Sequence, residues 1–309
     1  MKTERKVYLN GEFVAEADAR ISIFDSALMF GDMVFEVLRT YNGQPFRLRE
    51  HLIRLYAGLK ILEIDCGLTI DEMEAATLKT LEINEQTNPE KLDWQIMHNV
   101  SRGPLGLYSP VFPEGMRPTV AINCWPLPRK VAGTAAAYER GLHAITPPQR
   151  SVPARLIDPK IKNRSRVYYQ VANLQVAKMD AQAWPLLTDE EGFITEGTGA
   201  NFFIVKDKQI LTPEPRNILR GVTRQAVLDL ATQLKLPWRE CNLEPYDVVT
   251  ADEAFFTATS FAILPVTKYN HHPIADGVPG PITKLLIESW SQMVEVDIVA
   301  QAKAYAQMV

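Results

Sequence analysis

Cysteine is scarce in this chain. There are three in 309 residues, at positions 66, 124 and 241. They are widely separated, show no metal-ligand spacing and cannot all pair within one chain, which makes a disulfide framework or a cysteine-held metal a poor expectation. They read as reduced thiols, mostly buried. No uninterrupted apolar stretch reaches membrane-spanning length, and the opening Met1-Lys2-Thr3-Glu4-Arg5-Lys6 is charged with no signal-type apolar run behind it. A soluble, cytoplasmic protein is the expectation. Neither charge sign dominates: 33 Lys and Arg against 37 Asp and Glu leave a net charge of -4, too little field to gather nucleic acid or an anionic membrane. Also missing are a Gly-x-Gly-x-x-Gly fingerprint, a Walker loop and a serine nucleophile elbow. The five histidines, at 51, 98, 143, 271 and 272, have no catalytic partner or metal spacing, and no metal is expected. Internal repeats and low-complexity tails are absent.

What is present is apolar content enough for more than one core, 46% of the chain, so two domains are expected. Val7-Tyr8-Leu9, Asn10-Gly11 and Glu12-Phe13-Val14 spell a hairpin, because both turn residues tolerate positive φ. The same pattern recurs around Asn42-Gly43. Residues 50–62 carry leucines at helical spacing, and Thr69 with Glu72 forms a capping-box signature for a second helix. Strands are expected at 92–100 and 119–124. The proline-broken run 125–134 is the candidate linker, between an α+β domain over 1–124 and a larger C-terminal domain over 135–309. In the latter, a helix after residue 166 has an apolar side of Val167, Val171, Leu174 and Val176. Hairpins follow at 186–196 and 202–212. Gly221-Val222-Thr223 enters a helix stopped by Pro237, and 283–293 is a last amphipathic helix.

A lysine is useful in catalysis when its amine is neutral, because a Schiff base needs a free nucleophilic nitrogen. Lys162 lies between Ile161 and the cations Arg164 and Arg166, neighbours that favour the neutral amine. By itself the segment reads more simply as a solvated basic loop. Four blocks add to it: Phe30-Gly31-Asp32-Met33-Val34-Phe35-Glu36-Val37 with Glu50-His51-Leu52-Ile53-Arg54-Leu55; the lysine segment; Thr195 through Phe203; and Leu219 through Arg224 with Ala251 through Thr259. In this order and spacing they resemble the class IV, fold-type IV family of pyridoxal-phosphate enzymes, over nearly the whole chain. That family contains branched-chain and D-amino acid aminotransferases and aminodeoxychorismate lyases.

The resemblance implies a two-domain fold of α+β and α/β character, with pyridoxal 5'-phosphate as cofactor. It implies that Lys162 bonds the cofactor and shuttles a proton, and that Glu196 faces the ring nitrogen as an anion. Arg54, Gly221, Val222, Thr223, Ala258 and Thr259 match the phosphate contacts, and Leu219 matches the apolar residue packed on the ring. It further implies a homodimer or larger homo-oligomer acting on a small amino donor and a 2-oxo acid by a ping-pong scheme. Phe35 matches the branched-chain pattern, whereas its flanks Phe30-Gly31-Asp32 and Glu36-Val37 are closer to the D-amino acid group. Branched-chain enzymes commonly have tyrosine at the fifth position after the lysine; here it is Val167, with Tyr168 and Tyr169 beyond. Arg39 and Arg102 are candidates for a substrate carboxylate, with strand anchoring as the plain alternative. A branched-chain-like aminotransferase is the leading expectation. A D-amino acid aminotransferase, a lyase, an (R)-amine transaminase or a non-catalytic scaffold are its rivals.

Overall fold

The computed structural model describes residues 4–113 and 115–308. Its contacts divide the chain into two compact units, one running to Leu127 and including Ile161–Arg166, the other made of Pro128–Lys160 and the chain from Val167 onward.

Turn chemistry shapes the first unit. β1 (Lys6–Leu9) and β2 (Glu12–Ala15) are joined by Asn10 and Gly11 at φ 51° and 99°, the left-handed values that a two-residue hairpin requires. α1 (Ser26–Phe30) starts on Asp25, whose carboxylate accepts from the Ala27 N–H. β3 (Met33–Tyr41) turns through Asn42-Gly43 into β4 (Gln44–Pro45). α2 (Leu48–Ile61) buries Leu52, Leu55 and Leu59, and α3 (Ile70–Glu85) opens with the Thr69–Glu72 capping box. β5 (Trp94–Ser101) and β6 (Thr119–Pro126) complete an antiparallel sheet in the order β2-β1-β6-β5-β3-β4. Period-two alternation sends Val34, Leu38, Ile96 and Ile122 into the core shared with the two helices. Phe35, Val37, Met97 and Asn99 occupy the other face, where Phe35 pairs with Asn99 and Val37 with Met97.

The Lys162 segment joins this unit through backbone pairing with β3. The Phe35 N–H donates to Lys162 O (2.9 Å), the Arg164 N–H donates to Met33 O (3.0 Å), and Val34 bridges Asn163. Sequence order assigns it to the C-terminal part; its hydrogen bonds tie it to the N-terminal sheet. The proline run also differs from a plain linker. Trp125 and Pro126 extend β6, opposite Gln95 and Trp94 and beyond the reach of β1. Pro128 then sits at the start of a helical turn, where its missing N–H costs nothing.

In the second unit, α4 (Pro128–Val131) and α5 (Ala137–Arg140) precede β7 (Leu142–Ile145). Then come α6 (Val167–Met179), β8 (Trp184–Thr188), β9 (Ile194–Gly197), β10 (Asn201–Lys206) and β11 (Gln209–Pro213). α7 (Val222–Gln233), β12 (Trp238–Cys241), α8 (Pro245–Val249), β13 (Glu253–Ala258) and β14 (Ala262–Tyr269) follow. β15 (His272–Pro273), α9 (Pro281–Met293) and α10 (Ile298–Met308) end the chain's described part. The strands run β12-β11-β10-β13-β14-β7-β8-β9, and β9 returns to β10 through the pair Glu196–Asn201, closing a ring. α6 turns inward only part of the side its sequence suggests. Val167 is 77% and Leu174 55% exposed, whereas Tyr169, Ala172 and Val176 are buried, because the ring body of Tyr169 packs with Leu187 of β8 and Ala172 permits close approach. Among the described residues no helix is long and apolar enough to cross a membrane.

Candidate active site

The first unit gathers its site residues on both faces of β3. On the helix face, Glu36 is fully buried, and its two carboxylate oxygens accept from Arg54 Nε (2.6 Å) and Nη2 (2.8 Å) of α2. His51, one turn earlier, places Nδ1 2.8 Å from Oε2 of the same carboxylate. Burial alone would raise the Glu36 carboxyl, but the Arg54 charge and the bonds from His51 and Arg54 outweigh it and hold the group far below the usual carboxylate range. For His51 burial wins and lowers its affinity for protons, so a neutral ring donates to a charged carboxylate. The pair fixes the Arg54 guanidinium in one orientation.

On the opposite face, Lys162 and Arg164 alternate along the extended segment and lie over the Phe35 ring. Lys162 Nζ is 4.9 Å from its centroid, Arg164 Cζ 3.7 Å and Arg166 Cζ 5.3 Å. Arg39 and Arg102 are elsewhere. Arg39 is 1% exposed, donates to Thr40 O, pairs with Asp93 and stacks on Tyr41. Arg102 donates to Asp32 (2.8 Å) and to the carbonyls of Leu62 and Glu63. Both guanidiniums pair with groups of their own framework, the arrangement that strand anchoring calls for.

The second unit presents Glu196, 4% exposed, where the strand ring closes. Tyr169 Oη donates to its Oε1 (2.8 Å), while Asn201 Nδ2 (2.9 Å) and the Leu219 N–H (3.0 Å) donate to Oε2. Three donors hold a buried carboxylate in place, as an ionised group facing a protonated ring nitrogen requires. Asn201 also donates to Leu219 O, so Leu219 is tied to the same network through both backbone groups. α7 begins at Val222 with Gly221 as its N-cap, and no side chain caps its N–H groups; Thr223 is buried in the first turn. A Cβ on Gly221 would stand 2.1 Å from Asn201 Oδ1, so the close approach of the two segments needs glycine. Ala258 ends β13, next to Thr259, and lines a cavity of about 650 Å³ together with Gly197, Thr198, Ala200, Trp184 and Ser260. Taken unit by unit, the groups are of the kinds pyridoxal phosphate needs: in the second, a fixed anion for a ring nitrogen and a helix start for a phosphate dianion; in the first, a lysine amine beside an aromatic ring.

Sequence reasoning missed Tyr169 and Asn201 as the holders of Glu196, and His51 as a partner of Glu36. The signals were faint. Tyr169 was visible as a tyrosine just past the expected place, and His51 sits three residues before Arg54 on one helix.

The family model for class IV aminotransferases matches residues 33–269. The chain belongs to this family. Its fold and family make it a pyridoxal-phosphate-dependent transaminase in kind. This aminotransferase is 37% identical over 291 residues to a putative branched-chain-amino-acid aminotransferase of Methanocaldococcus jannaschii, covering 93% of this chain and 96% of the relative. It is 30% identical over 280 residues to a D-alanine aminotransferase of Bacillus licheniformis, covering 90% and 93%. Among solved structures, it matches the Escherichia coli branched-chain amino acid aminotransferase with TM-score 0.82 and 27% identity, over 94% of this chain and 95% of that one. The branched-chain aminotransferase of the archaeon Thermoproteus uzoniensis, solved with norvaline, matches with TM-score 0.81 and 27% identity, over 98% of this chain and 97% of that one. The expected two-domain, fold-type IV architecture is thereby established.

Proposed function

We propose that this chain moves an amino group between a branched-chain-like amino acid and a 2-oxo acid by a ping-pong scheme, with Lys162 and Glu196 as its catalytic residues. The observation that carries it is Lys162 Nζ lying 4.9 Å from the Phe35 centroid, on a sheet face floored by Phe35, Val37 and Met97. An apolar floor suits an apolar substrate side chain.

Arg54, Gly221, Val222, Thr223, Ala258 and Thr259 would hold the phosphate of the cofactor, with Leu219 against its ring. When bound, pyridoxal phosphate supplies an electron-withdrawing ring that stabilises negative charge at the substrate α-carbon. Lys162 Nζ takes the α-proton and returns it, so it must be neutral in that step. Glu196, clamped by Tyr169, Asn201 and the Leu219 N–H, keeps its charge pointed one way and favours a proton on the ring nitrogen. Glu36 and His51 keep the Arg54 guanidinium aligned for an anion. The first oxo acid leaves before the second binds, and the same residues then run in reverse. A homodimer or higher homo-oligomer and a cytoplasmic setting belong to the same proposal.

A preference for D-amino acids is the second reading, favoured by the D-alanine aminotransferase similarity and by Phe30-Gly31-Asp32. The test is a half-reaction panel with L-leucine, L-valine, L-glutamate, D-alanine, D-glutamate and (R)-1-phenylethylamine on cofactor-loaded protein. The expected result is bleaching of a band at about 400–430 nm by L-leucine and L-valine and its return with an oxo acid (an approximate property of the cofactor chemistry). A response to D-alanine alone selects the second reading. A response to the amine alone, or an elimination with no need for a second oxo acid, overturns both.

A further inference from the structure

The short segment that carries Lys162 is anchored on both sides of the lysine. Before it, Ile161 is buried in the core of the first unit with residues of β3 and α2. After it, Ser165 Oγ donates to Phe30 O at the end of α1 (2.7 Å). Between these anchors the side chains alternate, with Lys162 and Arg164 over the Phe35 ring and Asn163 bridging Val34 on the core side. Asn163 is 7% exposed, and its amide is spent on its own chain. Nδ2 donates to Ile161 O (3.1 Å), and Oδ1 accepts from the Ser165 N–H (2.9 Å). The Asn163 N–H donates to the same Ile161 O (2.8 Å), which makes Lys162 the central residue of a γ-turn. Its φ is negative, so the turn is of the inverse kind that lysine adopts without strain.

A lysine amine hangs on a long flexible stem, and the space it can reach is set by where its Cα stands. The bonds to β3, Phe35 N–H to Lys162 O and Arg164 N–H to Met33 O, fix the chain from the lysine carbonyl onward. The peptide before the Cα is held instead by the γ-turn, whose acceptor Ile161 O takes both the backbone and the side-chain donor of Asn163. Asparagine suits this place because its amide accepts from two residues ahead while it donates two residues behind. Serine can imitate the accepting half, and alanine neither. Position matters to the chemistry, since a shift of about 1 Å in a reacting group can cost roughly 100-fold in rate.

We propose that Asn163 is a positioning residue for Lys162: its amide locks the γ-turn at the lysine and so fixes the point from which Nζ reaches over Phe35. The proposal rests on the role of Lys162 proposed above.

Asn88 supplies the control. It is also 7% exposed, lies in the first unit between α3 and β5, and stitches its loop with the same two groups, Nδ2 to Leu92 O (2.8 Å) and Oδ1 to the Leu92 N–H (2.9 Å). Wild type, Asn163→Ala, Asn163→Ser and Asn88→Ala are compared as full chains. In cofactor-stripped protein, the first readout is the rate at which added pyridoxal phosphate becomes trappable by borohydride on Lys162. In loaded protein, the second is the single-turnover rate and KM with the amino acid that wild type accepts, and the third is melting temperature. The expected result for Asn163→Ala is a loss of about 10- to 100-fold in both rates, with KM within about twofold of wild type. Asn163→Ser should recover part of the loss, and Asn88→Ala should lower the melting temperature with both rates near wild type. Rates within about twofold of wild type in Asn163→Ala overturn the proposal, as does an equal loss of rate in Asn88→Ala. If Asn163→Ala does not fold, Asn163→Ser decides by the same rates: slowed trapping supports the assignment and unchanged trapping overturns it. A wild type with no adduct on residue 162 refutes the role of the lysine and this proposal with it. An adduct in a protein that transaminates nothing refutes the reaction alone, and the trapping rates still test Asn163.

Discussion

At the scale of single residues, what distinguishes Lys162 and Glu196 from other lysines and glutamates is their partners. A surface glutamate has water; Glu196 has a tyrosine hydroxyl, an asparagine amide and a backbone N–H, all inside the fold. Removing the Lys162 amine in Lys162→Ala should lower turnover by about 1,000-fold or more and abolish the borohydride adduct at this position. Glu196→Gln keeps the shape and loses the charge. It should reduce turnover by about 10- to 1,000-fold with a melting temperature near wild type. Turnover within a factor of two of wild type for either variant would refute the assigned roles.

His98 makes a different residue-scale prediction, one about stability. It is fully buried, its Nε2 lies 2.8 Å from Thr77 Oγ1, and Nδ1 has no partner. Thr77 donates its own hydrogen to Met73 O, so Nε2–H donates to Thr77, and Nδ1 is left buried without a hydrogen bond. Burial pushes the imidazole down from 6.5 to about 4. Between these values the unfolded chain takes up a proton that the folded chain refuses. The contribution is therefore complete above about pH 6.5 and shrinks as pH falls toward 4, by up to about 3 kcal/mol. In urea titrations, the stability difference between wild type and His98→Gln should shift in favour of the variant as pH drops from about 6.5 to 4.5. A difference that stays constant over that range would contradict the neutral assignment.

At the scale of elements, helix and hairpin starts were legible because their causes are local. Asn-Gly pairs at 10–11 and 42–43 need only their own φ preferences, and the Thr69–Glu72 box satisfies its own backbone donors. The buried side of α6 was legible only in part: of the stripe Val167, Val171, Leu174 and Val176, Val176 is buried, whereas Val167 and Leu174 are exposed because Tyr169 and Ala172 make the packing against β8. The start of α7 carries the element-scale prediction. Gly221 has φ -64°, so alanine is not strained by its backbone, but its Cβ would displace Asn201 and with it a donor to Glu196. Gly221→Ala should weaken cofactor binding by about 10-fold or more and should also slow the bound enzyme, the effect of a lost charge-assisted hydrogen bond. Equilibrium dialysis against free cofactor, with single-turnover rates at saturation, separates the two effects. Unchanged cofactor affinity would exclude the proposed contact.

At the scale of the whole molecule, the thiols bear on stability through what they do not do. Cys66 and Cys124 are buried, Cys241 is partly accessible, and all three are free. Burial pushes the Cys124 thiol up to about 12 and raises that of Cys241 as well, so neither is a ready nucleophile. Melting temperature should be the same with and without a reductant, and a thiol reagent should modify at most Cys241 in the native protein but all three after unfolding. Fast labelling of Cys124 in the native state would count against the described core.

The chain by itself determined the features whose physics is short-ranged: the two hairpin turns, the capping box, the helix periods, and the ordered blocks that reveal the family. Those depend on φ preferences, local hydrogen bonds and residue types that a string of letters displays. Tertiary structure alone decided that residues 161–166 belong with β3, that Tyr169 and Asn201 hold Glu196, and that Arg39 pairs with Asp93 and Arg102 with Asp32 while Arg164 lies on the Phe35 face. Each of those pairs residues from distant parts of the chain, which strand pairing and packing bring together and no local pattern displays.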